Sequence, residues 1–347
     1  MSTIVDTTPG QEIRFGKSKR AIAQRRSAWA LVFPTLLVIT VVIIIPVIMA
    51  LKDSFYGVAG MNEEGFYNDT APFVGLENFI NIFGAGGSRF WNAMFNTTFF
   101  TVISIVIETV LGVAMALIMH KAMRGRGLVR AAILIPWAVP TAVSAVLWKW
   151  IFDANGVANS IIGQQILWSA GDWSARFAII IADVWKTAPY IGLLTLAGLQ
   201  VIPDEVYEAA KLDGANAWKR LTSITLPMAK PALVVAILFR TLDVLRMYDL
   251  PAILIGFRKP AVETVSMLVR DEAVNLRYGS AAAYALVLFL YIFIVALVFV
   301  RMLGADLGIG PEPAANKKGT KLRLFSRSKS AKRRAKVNAA LAEGGSK

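Results

Sequence analysis

The sequence predicts an all-α protein that crosses a membrane six times. Three observations predict it. Of the 347 residues, 56% are hydrophobic. The apolar residues gather in runs of about 20 or more, the length a helix needs to cross a hydrocarbon core. Lys and Arg alternate between rich and poor across the segments that join these runs, as the positive-inside rule requires.

The first 27 residues are polar and basic, with Arg14, Lys17, Lys19, Arg20, Arg25 and Arg26. The first span covers about 28–51. It is too long for a signal-peptide core and lacks a small-residue cleavage motif, so it reads as retained. Residues 53–90 form an acidic and aromatic loop, in which Val74-Gly75-Leu76-Glu77-Asn78-Phe79 opens a short interfacial helix. The second span covers about 91–119, and a basic turn follows to Arg130. The third covers about 129–151 and contains Pro136 and Pro140. Loop 152–174 has no Lys or Arg. The fourth span, about 176–199, carries Pro189. The fifth covers about 231–255 and the sixth about 280–302. The chain closes in a basic tail over 303–347, whose few apolar side chains cannot build a core, so disorder is expected.

Six spans put both termini on one side. The N-tail, the 121–130 turn, the 201–230 loop and the C-tail are rich in Lys and Arg, which makes that side cytoplasmic. Loop 257–278, with Arg258, Lys259, Arg270 and Arg277, is the exception and is outvoted.

Composition also excludes. Cys is absent and His120 is the single histidine. Disulfides, thiolate metal sites and haem are therefore not expected, and no metal site is assigned. The net charge of +14 sits in tails and cytoplasmic loops, so it reports topology and not nucleic acid. No P-loop of the Gly-x-x-x-x-Gly-Lys-Ser/Thr type occurs, so the chain has no ATP site of its own.

Four charges interrupt the fifth span: Arg240, Asp243, Arg246 and Asp249. They are costly there and should face protein or water. At a spacing of three they spiral around a helix while neighbours pair. They read either as part of a polar solute pathway, with Asp243 near mid-span, or as an ion-pair ladder that fixes packing. Tyr248 lies beside them. In the fourth span Asp183 and Lys186 can neutralise each other, and Pro189 leaves the Trp185 carbonyl without its helical donor. Trp137, between two prolines, offers a ring face on which a solute could stack. Trp148 and Trp150 read as interfacial anchors. Glu108 has no partner in its own helix and should find one across the bundle.

The 201–230 loop carries Glu208-Ala209-Ala210-Lys211-Leu212-Asp213-Gly214-Ala215, closed by Ile224-Thr225-Leu226-Pro227. Locally, Asp204 can cap a short helix after Pro203, and Gly214 can end it in the left-handed conformation. A second short helix then runs through Trp218 and Leu221 until Pro227 stops it.

This order of residues resembles the EAA loop of bacterial ABC-importer permeases. Phe33-Pro34, Val74 to Phe79, Asn92, Asn96-Thr97 and Phe239-Arg240-Thr241-Leu242-Asp243 extend the resemblance over 28–302. Together they are similar to the carbohydrate-uptake, MalF/UgpA-like branch, and within it to trehalose and maltose permeases of actinobacteria. The resemblance implies a MetI-like type I importer permease fold in a bacterial cell membrane, multi-pass. It implies that Glu208, Ala209, Ala210, Asp213, Gly214 and Ala215 dock on a cytoplasmic ATPase. The implied partners are a second permease subunit, two ATPase copies that bind ATP and Mg, an extracytoplasmic sugar-binding protein, membrane lipid and a sugar. For that sugar the pathway candidates are Asp243, Arg240, Arg246, Tyr248, Trp137 and Trp185. The alternatives are a permease for glycerol phosphate or another polar solute, a membrane scaffold, and an intramembrane enzyme, the last disfavoured by the single histidine.

Overall fold

A computed structural model describes residues 19–61, 67–68, 70–121 and 124–306. The tail from 307 and the first 18 residues lie outside it, so the expected disorder of the tail does too.

The fold is helical. The first apolar run forms α1 (Lys19–Ile39) and α2 (Ile45–Asp53), joined by a π-helical stretch over Thr40–Ile44. Pro46 follows that stretch directly, and the widened π turn before it lets the helix run on past the proline. Next come a two-residue hairpin pairing β1 (Gly60–Met61) with β2 (Tyr67–Asn68), and α3 (Glu77–Phe83). Asn78 explains the motif around it. Its amide donates to the carbonyls of Ser54 and Tyr56 at 2.9 and 2.8 Å, pinning α3 to the end of α2.

Then follow α4 (Ser88–His120), α5 (Arg126–Ala138), α6 (Thr141–Ile151), α7 (Val157–Ile162) and α8 (Asp172–Leu199). After them come α9 (Asp204–Leu212), α10 (Ala217–Arg220), α11 (Leu226–Val244), α12 (Asp249–Leu254), α13 (Val265–Val274) and α14 (Tyr278–Asp306). Among the described residues, five helical stretches are long and apolar enough to span a membrane, and six if α5 and α6 count as one.

The expected third span is the element that changes most. α5 and α6 meet at a bend of 92°. Val139 is extended, as a residue before proline prefers, and Pro140 has no N–H to return to α5. The expected fifth span is shifted as well. Pro227 does not stop a helix. A π-helical stretch over Leu221–Thr225 carries the chain into α11, where Pro227 sits in the first turn. The Thr225 hydroxyl donates to the Arg220 carbonyl at 3.2 Å. The helix ends at Val244.

The chain divides into two compact units, Met1–Trp91 with Val265–Leu288 and Asn92–Thr264 with Phe289–Lys347. In the first unit, Arg89 pairs with Asp271 at 2.7 Å, and Arg277 pairs with Glu272 at 3.2 Å. In the second, α8 is the central helix, buried over most of its apolar length. Small residues bring its neighbours close. A Cβ on Gly112 would lie 2.8 Å from the Ile191 side chain, and one on Gly198 would lie 2.6 Å from Ala232.

Two of the basic residues that broke the charge rule, Lys259 and Arg277, are held by local partners, and so is Arg176 in the first turns of α8. Lys259 donates to the carbonyls of Ser169, Ala170 and Gly171, the last two at 2.7 and 3.1 Å. Arg176 lies over the rings of Trp173, Phe99 and Phe95, and donates to Ala261 and to Asn96. Asn96 in turn donates to the carbonyls of Pro260 and Glu263. Charges satisfied in this way say little about which side of a membrane they occupy.

Candidate functional site

Two sites emerge, one polar cavity and one exposed loop. They are joined through α8 and α11, the two helices on either side of the loop.

The cavity begins with a face of α8. Asp183, Lys186, Thr187 and Tyr190 stand at i, i+3, i+4 and i+7, one stripe of a helix. Opposite them α11 presents Arg240 and Asp243. Thr187, Tyr190, Arg240 and Asp243, with Trp137 of α5 and Phe239, line a space of about 280 Å³. The Trp137 and Tyr190 rings stack, with centroids 5.7 Å apart and planes at 29°. A second space of about 150 Å³ continues from Asp183, Lys186 and Asp243 to Arg246, Tyr248 and Asp249.

The charges are arranged around one guanidinium. Arg240 bonds Glu108 through Nε at 2.8 Å and Nη2 at 3.0 Å, Asp183 through Nη2 at 2.6 Å, and Asp243 through Nη1 at 2.6 Å. Glu108 thus finds the partner across the bundle that its own helix lacked. Arg240 is enclosed, whereas 67% of the Asp243 side chain is exposed. A buried cation among three carboxylates is compensated, which is the condition for its burial.

Several expectations are corrected here. The four charges of the fifth span do not spiral around one helix. Arg240 and Asp243 belong to α11, but Arg246 follows its end and Asp249 opens α12. Asp243 is therefore one residue from the helix end and not in mid-span. Asp183 pairs with Arg240 and not with Lys186. Lys186, 9% exposed, makes no ion pair or hydrogen bond among the described residues. Trp185 leaves the group. It points into a separate apolar space of about 490 Å³ with Pro136, Trp148 and Pro189. Its ring meets Trp148 edge-on at 5.6 Å, because it lies one or two positions off the polar stripe. Trp148 is thus a packing residue with its indole nitrogen enclosed, while Trp150 is exposed. Tyr190 and Phe239 were not singled out beforehand. The i, i+3, i+4, i+7 stripe was the signal for Tyr190. Phe239 opens the stretch that carried the resemblance, but an apolar residue in an apolar helix gives no sign that it lines a cavity.

The loop holds α9 and α10. Pro203, not Asp204, is the N-cap, and its side chain makes no capping bond. Asp204 and Glu205 sit in the first turn instead, where the helix dipole favours them. Gly214 does end α9 in the left-handed region, at φ +76°. The Ala215 amide donates to the Ala210 carbonyl at 2.9 Å, and the Gly214 amide to Lys211 at 3.0 Å. This pair of bonds is a Schellman closure. Asn216, unflagged in the sequence, caps α10 by accepting from the Lys219 amide at 2.8 Å. Ala210 and Tyr207 turn inward, and Tyr207 packs on the cluster of Met119, Leu199, Ile202 and Ala229. Glu208, Ala209, Asp213 and Gly214 face outward, and Ala215 is half-buried. Glu208 has no partner among the described residues. Leu212 and Trp218 are 89% and 72% exposed, large apolar side chains left uncovered on the same loop.

Comparison with known proteins shows the family and the fold. Residues 108–307 match the family model described as binding-protein-dependent transport system inner membrane component. The trehalose/maltose transport system permease protein MalF of Thermococcus litoralis is 38% identical over 82% of this chain and 96% of its own length. The trehalose transport system permease protein SugA of Mycobacterium tuberculosis is 37% identical, over 86% of this chain and 95% of its own. The fold also matches a chain of a bacterial ABC transporter that imports the acidic polysaccharide alginate. There the TM-score is 0.70 at 19% identity, covering 83% of this chain and 98% of the other.

Proposed function

Because the chain belongs to the family of binding-protein-dependent transport system inner membrane components, we propose that it forms half of the translocation pathway of an ATP-driven importer for a disaccharide such as trehalose or maltose. The observation that carries this reading is the stacked Trp137–Tyr190 pair opening on the exposed Asp243 carboxylate in one cavity. A sugar has apolar ring faces and hydroxyls that both donate and accept. Aromatic rings take the first and a carboxylate takes the second.

The charge of the lining favours an uncharged solute. Asp183, Asp243 and Asp249 face Lys186, Arg240 and Arg246, so the six sum to zero. A glycerol phosphate would meet Lys186 and Arg246, but also three carboxylates and, behind them, Glu108. A neutral polyol can donate to the carboxylates and accept from the ammonium at once.

Work enters through the loop. The helices that line the cavity, α8 and α11, are the two that α9 and α10 connect. The outward Glu208 with Leu212 and Trp218 is a surface suited to a cytoplasmic ATPase. Two ATPase copies, carrying ATP and Mg, would act on this chain and on a second permease subunit, with an extracytoplasmic binding protein delivering sugar. Both termini would be cytoplasmic, on the side of the ATPase.

The test is reconstitution of the chain with its partner permease, ATPase and binding protein in liposomes. ATP-dependent uptake of labelled disaccharide, uncompeted by glycerol phosphate or a sugar phosphate, is expected. Uptake of the phosphate in preference, or no ATP-dependent disaccharide uptake, overturns the reading.

A further inference from the structure

Glu108 lies outside the cavity lining and is fully enclosed, at 0% exposure. It nevertheless contacts two residues that line both spaces. Its carboxylate accepts from Arg240 Nε at 2.8 Å and Nη2 at 3.0 Å, and from the Thr187 hydroxyl at 2.7 Å. The guanidinium is planar and rigid, so gripping it along the Nε–Nη2 edge fixes where the remaining nitrogen points. That nitrogen is Nη1, and it holds Asp243 at 2.6 Å. Asp183 takes the other Nη2 hydrogen. Four donors are therefore committed, two of them to Glu108, which lies outside the cavity lining.

From this geometry we infer that Glu108 is a positioning residue for solute recognition: it orients Arg240, and through Arg240 it sets the place and direction of the exposed Asp243 carboxylate. The inference rests on the reading of the cavity as the solute site. The chemistry supports a division of labour along the chain of contacts. Glu108 and Asp183 hold the cation. The cation holds Asp243. Asp243 keeps one oxygen, Oδ1, outside the ion pair and available to a hydroxyl. The Thr187 hydroxyl is also spoken for, since it lies 2.7 Å from Glu108 and 2.6 Å from the Asp183 carbonyl. Its single hydrogen is thereby committed to one of these two acceptors. Glu108 thus acts on two cavity groups without touching the solute.

The test is a double-mutant cycle on the reconstituted complex. Disaccharide uptake is measured as a function of concentration and normalised to assembled complex. Glu108→Gln keeps the shape but loses the charge and one acceptor. It should raise KM about tenfold, the scale of one charged hydrogen bond. Glu108→Asp should recover part of the loss. In an Asp243→Asn background, Glu108→Gln should add almost nothing, because the group it positions is already gone. A merely structural Glu108 gives the reverse pattern: less assembled complex, KM unchanged per complex, and effects that add. Either an unchanged KM or full additivity overturns the inference. If Glu108→Gln does not assemble, the triple variant with Asp183→Asn and Arg240→Met removes the cation and both enclosed carboxylate charges together, a change that buried ion clusters often tolerate. It should then show the raised KM of Asp243→Asn, and a wild-type KM in it overturns the inference too. If Asp243→Asn alone leaves KM unchanged, the reading of the cavity has failed, and that outcome is separate from any result at Glu108.

Discussion

Trp137 and Tyr190 stack at 5.7 Å across two helices, α5 and α8, each beside a proline: Pro136 before Trp137 and Pro189 before Tyr190. Trp137 is next to last in α5, just ahead of the 92° bend, and 43% of it is exposed. The pair is therefore a ring surface open on one side and not a packed core contact. Replacing Trp137 with Ala should raise KM for disaccharide uptake about three- to tenfold, the scale of an aromatic contact beyond its buried area. Membrane abundance should hardly change. Uptake titrated against sugar concentration, with the protein quantified alongside, checks this.

Arg240→Leu should act on stability. It strands Glu108 and Asp183 as unpaired carboxylates in an enclosed site. Breaking a buried pair by deleting one partner costs about 3–5 kcal/mol. Thermal melting of the detergent-solubilised protein should show a large fall, and much less complex should reach the membrane. A melting point equal to that of the wild type would mean the network is not holding α4, α8 and α11 together.

Glu208→Ala should leave folding alone and strike coupling. The side chain is exposed and has no partner among the described residues. A charge-assisted bond to a basic group on the ATPase is the expected loss. Sugar-stimulated ATPase activity of the assembled complex should drop about tenfold or more, with melting temperature unchanged. Full stimulation in an assembled variant would remove Glu208 from the docking contact.

Gly214→Val should be worse for the loop than Gly214→Asn. No atom lies within 4 Å of where a Cβ would stand, so crowding is not the problem. The cost is the φ of +76°, which a β-branched residue resists by about 1–2 kcal/mol and which Asn tolerates better. Comparing the two variants by ATPase stimulation and by melting separates conformational strain from lost contact. Equal behaviour would show that the Schellman closure does not depend on a left-handed residue here.

The helical membrane class was legible because its signals are local: length of apolar run, proline, glycine and the count of basic residues in each connection. The loop was nearly as legible. Gly214 has no Cβ, so its left-handed role is written in its identity. The closing Pro227 misled because proline's effect depends on which turn it occupies. A widened π-helical turn over Leu221–Thr225 takes up the proline, and the helix continues through it. The end of α11 at Val244 leaves Arg246 and Asp249 outside that helix.

The cavity divides along the same line. That Glu108, Asp183, Arg240 and Asp243 need partners follows from the sequence, since lone charges in apolar helices are costly wherever they lie. Which partners they take was decided only by the tertiary structure. Glu108 and Arg240 are 132 residues apart and Asp183 and Arg240 are 57 apart. Asp183 also had a nearer candidate in Lys186. The close approach of α4 and α8 at Gly112, and of α8 and α11 at Gly198, sets the helices at the distance where one guanidinium reaches three carboxylates. The period of each helix selects which side chains share a face, but the faces that meet are chosen by packing. For that reason Trp185 turned away to an apolar space while Tyr190, five residues on, came to line the site.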